Sequence, residues 1–162
     1  DHADLGLGGV DADECEAEAL ASCRQSPLET VECRGVGGYG ELVENRVAEG
    51  RFFDGPCAAW FRLRHPLVAG EPPSPYQRVA VAADSGNGIS ASLDFHRYSF
   101  INCDLTIHLL RAPLGEWVCL QARSAFGGNG CGMAESALYD ETGLIGRAVQ
   151  TLAVRARDER PA

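Results

Sequence analysis

The sequence predicts an α+β fold in which a curved antiparallel sheet wraps one long central helix. Three observations predict it: two β-type segments joined by a turn, one helical segment apolar on every side, and four further β-type segments separated by short breaks. Short connections favour antiparallel neighbours, and a helix without a polar stripe must be surrounded by protein.

Residues 1–37 read as an acidic, glycine-containing linker or N-terminal arm. Gly6, Gly8 and Gly9 open it, and a short helix is expected around DADECEAEALASC, where Asp11 or Asp13 can cap and the glutamates suit the positive helix end. From about Gly40 the pattern turns to β. ELVENRVAEGRFF and CAAWFRLRHPLV flank Asp54-Gly55-Pro56, a strong turn signal, and predict a hairpin. In GEPPSPYQRVAVAADSGNG, Ser74 can cap, Pro75 suits the first helical position, and Gly86 or Gly88 supplies the left-handed residue that ends a helix. Then SFINCDLTIHLLR, EWVCLQARSAF, GMAESALYD and LIGRAVQTLAVRA, broken at Ala112–Gly115, Gly127–Gly130 and Glu141–Gly143, read as a meander. There is no internal repeat, and residues 158–162 are expected to be a frayed tail.

Composition narrows the function. The 162 residues, 45% hydrophobic and 23% charged, suit one globular core. Nine acids against Arg24 in residues 1–32 account for almost all of the net charge of −9, so the remaining body is nearly neutral. With no basic run to displace counterions, nucleic-acid binding is set aside. All fourteen basic residues are arginine, which reflects compositional bias more simply than mechanism. No apolar run is long enough for a membrane span, and the first residues lack the basic and apolar regions of a signal peptide. Met133 is the only methionine, so the chain is expected to be processed or part of a larger protein. The seven cysteines lack zinc-site spacing; Cys103 and Cys119 sit in apolar runs and read as small buried hydrophobes of a reducing compartment, the cytoplasm.

Alternation sorts the polar residues. Around Asp104, residues Cys103, Leu105, Ile107 and Leu109 form one apolar face, so Asp104, Thr106 and His108 share the other, which is either a solvated face or a site. Gln150 shares its side with Ala148, Leu152 and Val154, and a primary amide there must find partners. Ser124 likewise ends the apolar stripe of Val118, Leu120 and Ala122. On pattern alone Gln150 either satisfies a neighbouring loop or takes part in chemistry, and Ser124 either ends a strand or does the same. No G-x-S-x-G elbow, H-x-x-x-H pair or phosphate-binding loop is present, which disfavours serine hydrolases, metalloproteases and nucleotide enzymes; the Gly-rich strings GLGG, GVGGYG and GGNGCG are turns and linkers.

The run PLVAGEPPSPYQRVAVAADSGNGISASLDF, followed by FINCDLTIHLLRAPLGEWVCLQARS and GRAVQTLAVR, resembles the C-terminal half of thioesterase-like double-hotdog proteins related to bacterial acyl-CoA thioesterase II. The resemblance covers residues 38–157 and is most specific at Asp84-Ser85-Gly86-Asn87-Gly88, at Asn102-Cys103-Asp104-Leu105-Thr106 and at Gln150. It implies a hotdog fold, with 1–37 resembling the linker from a first hotdog that is absent here. A second hotdog, either that missing half or another copy of the chain in a homo-oligomer, is the implied partner, because a lone hotdog leaves a sheet edge exposed.

The resemblance also implies an acyl-CoA thioesterase that holds an attacking water with Asp104, Gln150 and Ser124, with Ala125 as the other residue that could fill the third position. A desolvated carboxylate suits the general base, and neither metal, cofactor nor covalent intermediate is called for. Arg111, Arg123 and Arg147 are candidates for the polyanionic coenzyme, or else outward charges; Trp60, Phe61 and Phe100 line an acyl pocket or fill the core. Two other readings stand beside hydrolysis. One is a non-catalytic acyl-CoA-binding or assembly module. The other is a hotdog enoyl-CoA hydratase using Asp104 and His108, which the absence of Asn-Pro after Asp104 disfavours.

Overall fold

The computed structural model describes residues 29–30 and 38–157. The short helix expected around residues 11–23 and the tail 158–162 lie outside the described residues. Within the arm, however, β1 (Glu29–Thr30) pairs with Val47 and Arg46, so part of the segment read as linker belongs to the sheet.

The expected hairpin forms from β2 (Val43–Glu49) and β3 (Cys57–Leu63), and a short helix, α1 (Tyr39–Leu42), leads into it. The central helical segment follows as α2 (Pro75–Asp84) and α3 (Gly86–Ser90). Its start was legible: the Ser74 hydroxyl accepts from the Gln77 N–H at 3.2 Å, the Gln77 side chain accepts from the Ser74 N–H at 2.8 Å, and Pro75 occupies the first turn. Its end differs from expectation. Neither Gly86 nor Gly88 is left-handed; the cap is Ser85 in a right-handed conformation, and α3 resumes at once. Gly86 is needed for close approach instead, because a Cβ there would stand 2.9 Å from the Ser136 hydroxyl and 3.2 Å from the Gln150 carbonyl oxygen.

The sheet is completed by β4 (Tyr98–Asn102), β5 (Thr106–Leu109), β6 (Trp117–Phe126), β7 (Cys131–Asp140) and β8 (Gly143–Ala156). Every pairing is antiparallel, in the order β1-β2-β3-β6-β7-β8-β4, with β5 lying beside β4 on the same β8 edge. The strand expected over 99–111 is thus two, broken at Cys103–Leu105. Alternation does not see the break, since Leu105, Ile107 and Leu109 still pack inward. Two expectations fall with it: Cys103 is exposed rather than buried, and Asp104 stands outside the strand that carries Thr106 and His108. Gly146 lets β5 lie close on β8, for a Cβ there would collide with the His108 carbonyl.

The core lies between the helices and the concave sheet face. Val79, Ala82, Ala83 and Ile89 meet Ala59, Phe61, Val118, Leu120, Ala122, Leu138, Ile145 and Ala148. The many alanines let the helix approach the sheet closely. The helix is covered on one side only, since Tyr76 and Ala80 are exposed and Val81 is half-buried; the all-round apolar run does not mean a fully surrounded helix. Of the aromatic candidates, Phe61 fills this core. Trp60 packs on the opposite sheet face with Cys119, Ala137 and Tyr139, and Phe100 joins a ladder with Phe95 and Phe126 at centroid spacings of 6.0 Å.

Candidate active site

The three candidate residues come to one level of the sheet. Register places Ser124 of β6 opposite Ala134 of β7, and Ala134 opposite Gln150 of β8, so Ser124 and Gln150 face the helices in a single row. Asp104 reaches the same level from the β4–β5 break, where its Oδ1 accepts the N–H of Thr151 at 2.8 Å. Ala125 pairs with Met133 and is exposed on the other face, so the helix-facing position belongs to Ser124.

Gln150 is 2% exposed and its amide is satisfied at the break between α2 and α3. Its Nε2 donates to the Asp84 carbonyl at 3.1 Å and to the Ala83 carbonyl at 3.4 Å, and its Oε1 accepts from the Asn87 N–H at 3.0 Å. Those are backbone groups that a helix end leaves without intrahelical partners. Of the two pattern-level readings of Gln150, the one in which it satisfies neighbouring backbone therefore describes these contacts.

Ser124 has more capacity left. Its hydroxyl lies 2.8 Å from the Ser90 hydroxyl, and Ser90 donates to the Gly86 carbonyl at 2.8 Å. With the single Ser90 proton on that carbonyl, Ser124 is the donor of the pair and its lone pairs remain open to a water. Asp104 is exposed, so the described residues do not supply the desolvation expected of a general base, and its Oδ2 has no hydrogen-bond partner among them.

The motifs that carried the resemblance converge here. Asn102 donates from Nδ2 to Asp84 Oδ1 at 2.9 Å, tying the end of β4 to the end of α2. Tyr39 adds its hydroxyl at 3.0 Å from the Val81 carbonyl and 2.8 Å from the Ser85 hydroxyl. Sequence reading did not single out Ser90 or Tyr39, because the contacts of Ser90 with Ser124 and of Tyr39 with Val81 and Ser85 span long separations that no local period records.

The arginine candidates divide. Arg111 is committed, donating to Asp140 at 2.5 and 2.8 Å and to the Thr142 hydroxyl at 3.0 Å. Asp140 is fully buried and also accepts from the N–H groups of Leu114 and Thr142 at 2.8 Å each. Burial pushes its carboxyl up, but the guanidinium and these donors outweigh that and hold it well below the usual carboxylate range. Arg123 pairs with Glu135, and Arg147 stands outward on β8 without an ion-pair partner among the described residues.

A helix held in the curve of an antiparallel sheet of this order is the hotdog fold. It is shared with solved structures: an acyl-CoA thioesterase II, TesB2, from Mycobacterium marinum (TM-score 0.55, 15% identity, 85% of this chain and 59% of that one) and a hotdog-fold protein from Alicyclobacillus acidocaldarius (TM-score 0.61, 14% identity, 80% and 52%). A hypothetical thioesterase protein from Streptococcus pneumoniae, solved with coenzyme A, is similar at TM-score 0.51 and 16% identity over 70% of this chain and 87% of that one. The chain thus spans little more than half the length of the first two. No curated protein matches it by sequence. The family model described as the acyl-CoA thioesterase C-terminal domain matches residues 12–154, and the chain belongs to that family.

Proposed function

We propose that this chain is the catalytic C-terminal hotdog of an acyl-CoA thioesterase, hydrolysing an acyl-CoA thioester to free fatty acid and coenzyme A. The observation that carries the reading is the arrival of Asp104, Ser124 and Gln150 at one level of the sheet in a chain of this family. Asp104 Oδ2 takes a proton from water as the water oxygen bonds to the thioester carbonyl carbon. The tetrahedral intermediate then breaks its carbon–sulfur bond, and the leaving thiolate recovers the proton. Ser124 accepts a hydrogen bond from the water. Gln150 acts as a positioning residue, holding the α2–α3 break against the sheet.

A second hotdog completes the site in this reading. The β4–β5 edge that carries Asp104 has no strand beyond it among the described residues, and Ile101 and Leu110 along it are 62% and 74% exposed. Covering that edge would desolvate the Asp104 carboxylate, which strengthens a base. The ladder of Phe95, Phe100 and Phe126 borders the Ser124–Gln150 row and supplies apolar surface for an acyl chain.

One observation favours the alternative of a non-catalytic acyl-CoA-binding module: the Gln150 amide is already occupied by backbone. Thiol release across acyl-CoA chain lengths separates the two. Hydrolysis lowered at least about a hundredfold in Asp104→Asn is expected of a general base. Binding of acyl-CoA without thiol release, or turnover unchanged in Asp104→Asn, would sink the catalytic reading.

A further inference from the structure

A second set of polar groups gathers at the opposite end of α2. The end of β3, the connection to α2 and the start of β6 enclose a depression of about 170 Å³ lined by Leu63, Arg64, His65, Pro73, Arg78 and Glu116. Arg78 stands near the start of α2, and its Nε is buried with no hydrogen-bond partner. Arg64 is exposed, and like Arg78 it has no ion-pair partner among the described residues. Glu116 is the acid in the lining, and it already meets Arg62 at 3.6 Å. The backbone at the helix start contributes little, because Ser74 and Gln77 satisfy each other there.

Folded proteins rarely leave a buried donor unpaired, and an orphaned Nε on a side chain that lines a depression points to an acceptor that arrives from outside. Two guanidinium forks without an ion pair among the described residues, and an imidazole, offer donors from several directions. A planar carboxylate would satisfy one fork; a tetrahedral oxyanion with three accepting oxygens suits the set. We propose that this depression is an anion site that takes a phosphate group.

The phosphate has two possible sources, the nucleotide end of a coenzyme A ester or free phosphate, and the first rests on the thioesterase reading. From Arg78 to Asp84 the helix rises about 9 Å, so a ligand held at this site and reacting near Gln150 would lie along α2.

Titration of the isotopically labelled chain with inorganic phosphate, followed by NMR, tests the site. Saturable shifts at Arg64, His65 and Arg78 are expected, weakened roughly tenfold in Arg64→Gln, whose exposed side chain makes no ion pair among the described residues, and comparably in Arg78→Gln. Coenzyme A and dephospho-coenzyme A are then titrated in phosphate-free buffer. Shifts of the same residues by coenzyme A, weakened in Arg64→Gln, support the nucleotide source. Phosphate binding without any response to coenzyme A supports the site with free phosphate as its ligand, and the thiol-release assay then reports on the thioesterase reading separately. No saturable change at these residues with either probe, or changes that both variants leave unaltered, overturns the proposal.

Discussion

Replacing Gln150 with leucine keeps nearly the same volume while removing the amide that bridges α2, α3 and β8. The Asp84 carbonyl and the Asn87 N–H, held at 3.1 and 3.0 Å, lose their partner, while the longer contact to the Ala83 carbonyl counts for less. Orphaning a buried backbone group costs about 1–3 kcal/mol. Asn87 is only half-buried and can recover part of its loss from water, so the total comes to about 2–4 kcal/mol. Urea unfolding of wild type and Gln150→Leu, followed by circular dichroism, reads this as a lowered midpoint at unchanged slope. A loss below about 0.5 kcal/mol would refute the assignment of Gln150 as the group that seals the helix break, and would leave its amide available for water.

Asp140→Asn leaves Arg111 without its anionic partner and should cost about 2–4 kcal/mol, less than a fully buried pair because Arg111 reaches solvent. The folded carboxyl is held below its unfolded value, so its contribution is complete above about pH 4 and is lost as pH falls further; the unfolding midpoint of Asp140→Asn should fall less over that range than that of wild type. Cys57 is buried beside Glu49; burial first and that carboxylate second push its thiol up to about 11. In the folded protein at pH 8 it should resist alkylation while the exposed Cys103 and Cys131 react, as peptide mapping by mass spectrometry would show. Gly86→Ala should destabilise by about 1–3 kcal/mol by pressing on Ser136, and adding Ser136→Ala should recover part of that loss, a coupling that independent sites would not show in a double-mutant cycle.

Local chemistry was readable where one residue type performs a local task. Ser74 and Pro75 announced the start of α2, and the glycines and Asp54 marked the connections between strands. The burial of Gln150 followed from its neighbours Ala148 and Leu152 on one strand face. Its partners did not, because they are backbone groups in a helix break far earlier in the chain. The division of 99–111 into two strands was hidden because Leu105 continues the inward alternation through a point where hydrogen bonding stops. Arg111 read as an outward charge or a coenzyme contact, since nothing in a linear pattern brings it to Asp140.

The last of the described strands along the chain is not the last in the sheet. β8 lies between β7 and the β4–β5 edge, and β4 and β5 pair only with it among the described strands. A nascent chain whose synthesis has stopped before β8 therefore has no lateral partner for those two segments, and the carbonyls closing α2 have no amide to receive. The hotdog must complete itself after the ribosome has released most of it, in a step that joins residues more than sixty positions apart. Such closure is slow for its size and near all-or-none, so shortened products of this gene should emerge as substrates for degradation rather than as smaller working proteins.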